Sequence, residues 1–589
     1  MRSGNYAENP ILHYSLIDIF RLRLASLSIE AILREWTIYR RREKLSKMSD
    51  GLGLGDVYGT TVERIMAQDR DKARLAMSAL MWISHAERPL RADELCHALA
   101  VEIGSEDFNV GNVPSITTLV GYSQGLITVD KGKHTSTVRL IHLTVKEYLS
   151  ARSDIFNRAH AAIAETCLTY LNSKQVKALS ADPSAVTHDG AFLGYSSVYW
   201  GVHAKKELSN RARSLALELF QEYDDHISRK LLLKQVQHPH FFSSYSNFIY
   251  DDGFSFNGLH CASFFGIVEV VATLIEMGCY DVNEIDVRGS TPLSWAARNG
   301  HGEVVKMLLG RREVYPDQGD SSGMTPLVCA AWKGHEEVVK MLLEHREVYS
   351  DEQDTFVKTP LSYAAWEGHA GVVKILLGQE GVNLDNPDFE GLPPLCSAAY
   401  RGHVEVVKML LEREEVHPDE PGWGQTPLSF AAGNGHVTVV KMLLEREEVN
   451  PNGPSWAPAP LFFAAGNGHE EVVKKLLGRE EVNPDKHDSG GQTPLSHAAQ
   501  CGREGVVKML LGRKEVNPDK PDTNGQTPLS HAAERGCEGV VKILLGREDV
   551  NPDKPDNVGW TPLRTAVEYR REGVEALLRL HKAAAPTAV

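Results

Sequence analysis

Residues that could act as a catalytic nucleophile form one pattern in this 589-residue chain. Gly121-Tyr-Ser123-Gln-Gly125 matches Gly-x-Ser-x-Gly, in which a turn from a strand into a helix exposes a nucleophilic serine. Here the order is reversed, because a helical run precedes Ser123 and the β-branched run at residues 125–130 follows it. We therefore predict a helix-to-strand turn and no enzyme, and a serine hydrolase acting through Ser123 is the remaining catalytic alternative.

Phosphate binding would require a P-loop, Gly-x-x-x-x-Gly-Lys-Ser/Thr, whose backbone amides and lysine contact the phosphates. The single Gly-Lys pair of the chain is Gly132-Lys133, which is followed by His134 and lacks the upstream glycine. It falls in a polar turn between two β-branched runs. The sequence therefore predicts no nucleotide cofactor site of this type.

Histidines recur at the same place in successive segments and could suggest metal binding. At about 10 Å between packed helices, neighbours in the series lie too far apart to share an ion at bonds of about 2 Å. Eight cysteines occur without a Cys-x-x-Cys pair, which argues against a zinc knuckle or a disulfide framework. We predict turn residues and no metal site; the recurring histidines are His301, His335, His369, His403, His436 and His469.

The elements that hold these residues repeat with a period of 33 or 34 residues. In one copy, Thr291 is placed as a helix N-cap and Pro292 as the first helical residue, where its missing N–H costs nothing. Ala296 and Ala297 lie on the apolar side of this short helix, and a second amphipathic helix follows. One copy cannot bury enough surface to fold alone, so neighbours must stack. Copies begin at residues 291, 325, 359, 393, 426, 459, 493, 527 and 561, with a degenerate copy at 257.

This period and the pattern TPLSWAARNGHGEVVKMLLGRREV resemble ankyrin repeats. The resemblance implies a mainly α fold: a solenoid of about ten helix-turn-helix repeats with finger turns. Two departures stand out. Serine replaces the usual histidine at the fourth position of several copies, as at Ser294, which changes a hydrogen bond of the cap. The copy at Ala459 has no threonine cap and follows a proline-rich stretch, so we predict the weakest joint there.

The region before the repeats reads as helices followed by a hairpin, which is typical of a winged helix. Residues 78–102 and 138–151 resemble the winged-helix segment that follows the NACHT module in fungal NACHT and ankyrin proteins, a segment also named after GPI inositol-deacylase. His142, in the second of these segments, matches a histidine that contacts nucleotide in related switches; the other interpretation is that it packs the hairpin.

The resemblance also implies that the chain has four parts. The parts are residues 1–70, a NACHT remnant; 71–152, a small α+β winged helix; 153–250, a helical spacer; and 251–589, the ankyrin array.

Charge and hydropathy limit the classes of partner. The net charge is −15, and phosphate-backbone binding depends on lysine and arginine. The predicted third helix of the winged helix carries neither. No apolar run is long enough to cross a bilayer. We therefore expect protein partners, with no nucleic acid, membrane or small-molecule substrate, in the cytoplasm or, if the basic run Tyr39–Lys44 is a signal, the nucleus.

The seventh residue after each cap points toward the concave face in ankyrin-type proteins. Here this position reads arginine, three large aromatics, and then small or polar residues. Tryptophan, tyrosine and arginine dominate interface hot spots. The other interpretation is that these side chains only cover their own helices. We predict that the arginine, the three aromatics and the charged residue directly after each aromatic bind a partner. We call this set the aromatic stripe: Arg298, Trp332, Lys333, Trp366, Glu367, Tyr400 and Arg401.

The sequence thus favours a non-catalytic interaction module, acting as a scaffold or as a regulatory, innate-immunity-like receptor fragment. The alternative is the sensor half of a NACHT switch whose P-loop is supplied in trans or by an upstream segment.

Overall fold

The structure is a computed structural model that describes residues 54–132, 135–152, 154–179, 190–236, 256–389 and 391–584. The basic run Tyr39–Lys44, the Lys133-His134 pair and most of the predicted NACHT remnant lie outside these residues. The chain divides into two compact units, Met1–Val287 and Arg288–Val589. Every helix in the described part is too short or too polar to span a lipid bilayer.

The described part of the first unit begins with a winged helix. In these described residues its helices precede and follow one antiparallel hairpin, in which Val129 pairs with Val138. The turn between the strands contains Gly132, as predicted. The elements are α1 Leu54–Met66, α2 Arg70–His85, α3 Ala92–Ala100, a 3-10 turn Val110–Asn112, α4 Ile116–Tyr122, β1 Ile127–Lys131, β2 Ser136–Leu140 and α5 Leu143–Ala151.

Helices follow the winged helix in the same unit. Aromatic rings join the two parts, since Trp82 of α2 packs edge-on against Phe192 at 5.5 Å and Tyr195 at 5.8 Å between ring centroids. The last two helices form the degenerate repeat predicted at Asn257. These elements are α6 Ala159–Leu171, α7 Lys174–Lys177, α8 Leu193–Lys206, α9 Asn210–Gln221, a 3-10 turn Tyr223–Asp225, α10 Ile227–Val236, α11 Gly258–Phe265 and α12 Val268–Met277.

The second unit consists of paired short helices, one pair for each segment that the period predicted, so the ankyrin fold is confirmed. Each first helix starts at a proline and packs against the first helices of its neighbours. The pairs are Pro292–Arg298 (α13) with Gly302–Leu309 (α14), Pro326–Lys333 (α15) with Glu336–Leu343 (α16), Pro360–Glu367 (α17) with Ala370–Leu376 (α18), Pro394–Arg401 (α19) with Val404–Leu411 (α20), Pro427–Gly433 (α21) with Val437–Leu444 (α22), Pro460–Asn467 (α23) with Glu470–Leu477 (α24), Pro494–Gln500 (α25) with Glu504–Leu511 (α26), Pro528–Arg535 (α27) with Glu538–Leu545 (α28), and Pro562–Glu568 (α29) with Glu572–Ala584 (α30).

Threonine caps start most of the first helices as predicted. Thr359 Oγ1 accepts from the backbone N–H of Ser362 at 3.1 Å, which satisfies one free donor of the first turn. The two hydroxyls also bond each other at 3.1 Å, so the serine that replaces the usual histidine still bonds the cap residue through its side chain. Two first helices lack a side-chain cap, at Ala459, as predicted, and at Pro393.

The finger turns are built on an aspartate. Asp354 Oδ1 accepts from the backbone N–H groups of Phe356 and Lys358 at 2.8 and 2.9 Å. The finger tips then bond each other, since the N–H of Phe389 donates to the carbonyl of Phe356 at 2.7 Å. In the described residues, no such backbone bond joins the tips at Trp423 and Trp456 to neighbouring fingers, and Pro421 and Pro454 stand where those two fingers would have the aspartate.

Candidate partner-binding surface

The aromatic stripe lies at the C-terminal ends of four successive first helices. Arg298 ends α13, Lys333 ends α15, Glu367 ends α17 and Arg401 ends α19, each next to or at the position that the period singled out. Because the repeats stack at a regular interval, these four helix ends form one row. The structure therefore brings together all seven residues that the sequence predicted, and whether they bind a partner stays a prediction.

The three aromatics of the stripe are partly exposed and partly packed. Trp332 packs against a buried cluster that contains Cys329 of its own repeat and Tyr363 of the next. Trp366 and Tyr400 both pack against a cluster around Phe430. The interpretation that these rings only cover their own helices is thus too narrow, since each also reaches a neighbouring repeat.

Trp366 and Tyr400 form the centre of the stripe. Their rings stack nearly parallel, with 10° between the planes and 5.8 Å between centroids. The guanidinium of Arg401 lies 4.7 Å and the ammonium of Lys358 5.4 Å from the Trp366 ring. Cations over aromatic faces are favourable at about 0.5–1 kcal/mol when exposed. Aromatic and basic groups therefore alternate across this part of the surface.

Trp332 carries a second pair of cations. Lys333 Nζ lies 3.8 Å and the Arg298 guanidinium 5.2 Å from its ring centroid. Its indole N–H donates to Glu367 Oε1 at 3.4 Å. Burial, and then the nearby positive charge of Arg298, lower the pKa of Lys333. The two cations thus repel each other at one end of the stripe.

The repeated histidines hold the stripe in place, a role that the sequence did not reveal. Nε2 of His369 donates to the carbonyl of Trp332 at 3.0 Å, and Nε2 of His436 to that of Tyr400 at 2.9 Å. Each histidine lies in the turn before the second helix of its own repeat, as predicted, and bonds the preceding repeat. In the last repeat, Arg571 Nε donates to the carbonyl of Glu534 at 2.9 Å, so this repeat keeps the link with an arginine in place of histidine.

Finger tips add aromatic residues that sequence reasoning missed. The exposed fraction of Phe389 is 73%, that of Trp423 47% and that of Trp456 61%. The Trp423 ring lies 6.2 Å from Tyr400, so one finger continues the stripe. The signal was present in the sequence, since an aromatic stands at the tip of four successive fingers, but those tips are not at one fixed offset from the cap.

Ser123 does not have the geometry of a nucleophile. It follows helix α4 and precedes strand β1, as predicted, and it is fully buried. Its hydroxyl donates to the carbonyl of Val120 at 2.8 Å. A nucleophile elbow exposes the serine between a strand and a helix. The surroundings of Ser123 therefore do not match a nucleophile elbow.

His142 does not pack the hairpin, and this part of the prediction was wrong. It is exposed and caps helix α5, where Nδ1 accepts from the N–H of Thr144 at 3.3 Å and pairs with its hydroxyl at 2.8 Å. A histidine can cap a helix in place of serine when its ring nitrogen faces the first turn.

In the described residues, one group of side chains has ligand atoms close enough to share a metal ion: Glu87, His160 and His203, all within 4.8 Å. The two histidine Nδ1 atoms bond each other at 2.8 Å, and Tyr195 bonds His203 Nε2 at 2.9 Å. Lys206 Nζ lies 2.6 Å from Glu87 Oε1 and supplies the positive charge. These groups satisfy one another, so the cluster is explained without a metal.

Comparisons with known proteins agree with this architecture. The family model described as ankyrin repeats (3 copies) matches overlapping segments that together run from residue 230 to residue 588, more than half of the chain. The model described as GPI inositol-deacylase, winged helix domain, matches residues 62–162. The matched ankyrin segments are residues 230–320, 259–354, 312–388, 361–455, 449–522 and 506–588.

Among solved structures, the human ASB11 ankyrin repeat domain is similar, with 28% identity. The match covers 38% of this chain and 98% of that chain, with a TM-score of 0.34. No curated protein sequence matches this chain significantly.

Proposed function

Because the chain belongs to the family of ankyrin-repeat proteins, we propose that it is a non-catalytic protein-interaction module that binds a partner through the aromatic stripe. The observation that carries this proposal is the row of partly exposed aromatics with cations against their rings. Aromatic and arginine side chains supply most of the energy of known interfaces. Their restriction to four adjacent repeats gives the surface a defined site.

The repeats suit this role because they are rigid where the stripe lies. Histidines fix the helix ends that carry Trp332, Trp366 and Tyr400, and stacked rings limit the rotamers of the aromatics. Side chains that are already ordered lose less entropy on binding, which increases affinity. The function is regulatory in this proposal: the winged helix and the spacer link the module to a larger signalling protein of the NACHT type.

The test is recovery of partners from cells with the full chain and with the triple variant Trp332→Ala, Trp366→Ala, Tyr400→Ala. We expect specific partners to be lost from the variant. Because these rings pack on buried clusters, truncation lowers stability, so binding is measured well below the unfolding midpoint of the variant. Trp423→Ala is a second variant, since this ring is exposed beside the stripe and its loss leaves the core intact.

A matched control is Tyr315→Ala with Tyr349→Ala, two aromatics that are 63% and 67% exposed and lie after second helices of the same unit. We expect full recovery of partners with this control. Equal recovery with the wild type, the triple variant and Trp423→Ala would show that the stripe does not bind.

A further inference from the structure

We propose that the occupant of the aromatic stripe is an extended acidic segment of a partner protein, whose carboxylates bind Arg298, Lys333 and Arg401 and whose apolar side chains lie on the exposed ring edges. This inference is based on the proposed function and names the chemistry of its ligand.

The cations of the stripe form no direct ion pair with a carboxylate in the described residues. None of the ion pairs in the described part of the chain involves Arg298, Lys333 or Arg401, which lie instead against the rings of Trp295, Trp332 and Trp366. The carboxylate of Glu367 raises the pKa of Lys333, but burial and Arg298 outweigh it. In contrast, Lys358 is paired with Asp388 at 3.3 Å, where both side chains are largely buried. The three unpaired cations are therefore available to a ligand.

The three cations of the stripe lie close together although the chain as a whole is negatively charged. The protein carries 78 acidic and 63 basic side chains, a net charge of −15. Arg298 and Lys333 nonetheless lie at the same tryptophan, where burial, and then the positive charge of Arg298, lower the pKa of Lys333. A carboxylate placed between them relieves this repulsion, which gives an acidic ligand an advantage that a neutral ligand lacks.

The length of the stripe and the order of its charges determine what peptide fits it. Four stacked repeats span about 30 Å at roughly 10 Å per repeat, which an extended peptide covers in about ten residues. Glu367 lies between the two basic ends and already accepts from the Trp332 indole. The peptide is thus expected to have acidic residues toward both ends and an uncharged or apolar residue at the centre.

A nucleic acid is the competing anionic ligand, and the same features disfavour it. Three cations and a carboxylate in one row neutralise few phosphates, and affinity for nucleic acid depends on the number that are neutralised. The apolar area between the cations instead fits leucine or phenylalanine side chains.

The experiment measures fluorescence anisotropy of a fluorescein-labelled peptide of about ten residues, glutamates at both ends and leucines at the centre, an extended length that spans four repeats. The full chain is titrated at low salt against this peptide, a version with glutamine in place of glutamate, and a thymidine oligonucleotide of equal length. We expect saturable binding of the acidic peptide that weakens as salt rises. Binding of the glutamine peptide and the oligonucleotide is expected to be about tenfold weaker or more.

Charge reversal tests the site. The variant Arg298→Glu, Lys333→Glu, Arg401→Glu is compared with Lys340→Glu, Lys374→Glu, Lys408→Glu, whose exposed lysines lie on second helices of three of the same repeats and give the same change in net charge. We expect the Kd to rise about tenfold or more in the first variant and less than about twofold in the second. Circular dichroism confirms that both are folded.

Equal weakening in the two variants would mean that binding follows net charge, and equal affinity for the glutamine peptide or the oligonucleotide would mean that the carboxylates are not recognised. Either result overturns the inference. If the acidic peptide does not bind but the aromatic variants still lose their cellular partners, the proposed function stands and only the ligand chemistry is wrong.

Discussion

His403 Nε2 donates to the carbonyl oxygen of Trp366, 2.9 Å away in the preceding repeat. The turn of one repeat is thus bonded to the end of the helix that carries the stripe residue of the repeat before it. Later repeats keep the bond with other side chains: Arg503 Nε donates to Gly466 at 2.9 Å, and Cys537 Sγ donates to Gln500 at a longer 3.8 Å. The residue just before the second helix thus bonds the preceding repeat in each of these cases, although the side chain differs.

The first prediction is that His403→Ala lowers the free energy of unfolding by about 1 kcal/mol, the usual net value of one hydrogen bond. The carbonyl of Trp366 loses its donor, so we also expect weaker binding through the stripe. Urea unfolding followed by circular dichroism measures the change. His487→Ala is the control, since this exposed histidine bonds the adjacent Asp488 carbonyl and not a neighbouring repeat in the described residues; an equal loss in the control would contradict the role of the link.

The second prediction concerns Gly368, which ends α17 at φ 83°. An added Cβ would lie 2.5 Å from His403 Nδ1. We expect Gly368→Ala to lower the free energy of unfolding by about 1–3 kcal/mol, because alanine is strained at this positive φ and its Cβ would clash with the His403 ring. Gly310→Ala is the matched control, with φ −70° and only ordinary contacts, and should be neutral or slightly stabilising. Comparable unfolding midpoints for the two variants would argue against this account.

The third prediction concerns an aspartate that repeats along the second unit. Asp485 Oδ2 accepts from the N–H of Asn517 at 2.9 Å, but its Oδ1 is buried without a partner. Burial raises the pKa of Asp485. The folded state thus binds a proton more readily than the unfolded state, so this carboxylate contributes stability as pH falls from neutral toward about 4, and that contribution is lost as pH rises.

Asp485→Asn should therefore be at least as stable as the wild type at pH 7, with an advantage that shrinks at pH 4.5. The preceding repeat naturally has asparagine at the equivalent position, Asn452. Its Oδ1 accepts from the N–H of Asn483 at 2.6 Å, and its Nδ2 donates to the carbonyl of Glu481 at 2.7 Å. Urea midpoints at the two pH values measure the effect. Asp549→Asn should show no such gain, because Arg547 lowers the pKa of that exposed carboxyl. A loss of stability in Asp485→Asn at pH 7 would refute the argument.

The fourth prediction is that a threonine cap strengthens the joint at residue 459. Ala459 offers no side-chain acceptor, and the N–H of Phe462 donates to its backbone carbonyl at 2.9 Å, whereas Thr493 Oγ1 in the next repeat accepts from the N–H of Ser496 at 3.1 Å. Ala459→Thr should stabilise the repeat by about 1 kcal/mol. Hydrogen exchange at the Phe462 amide should slow, and unchanged exchange there would show that the missing cap is unimportant. Ala457→Thr, at a buried loop residue outside the helix, is the comparison variant.

The sequence by itself determined the repeat, its boundaries and the helix starts. A proline every 33 or 34 residues, preceded in most copies by threonine, acts locally through a fixed φ and a cap, and so it could be recognised without coordinates. The stripe residues were found in the same way, because the seventh and eighth residues after each cap lie at the same end of equivalent helices.

Only the tertiary structure decided which repeat each side chain contacts. The bond from His403 to Trp366, the stacking of Trp366 on Tyr400 and the burial of Ser123 all join or enclose groups through packing between elements. His142 was misassigned for the same reason, since nothing in its sequence neighbourhood shows whether its ring faces the hairpin or the first turn of α5. Periodic sequence signals encode local conformation, whereas contacts between repeats depend on how far and at what angle neighbouring helices pack.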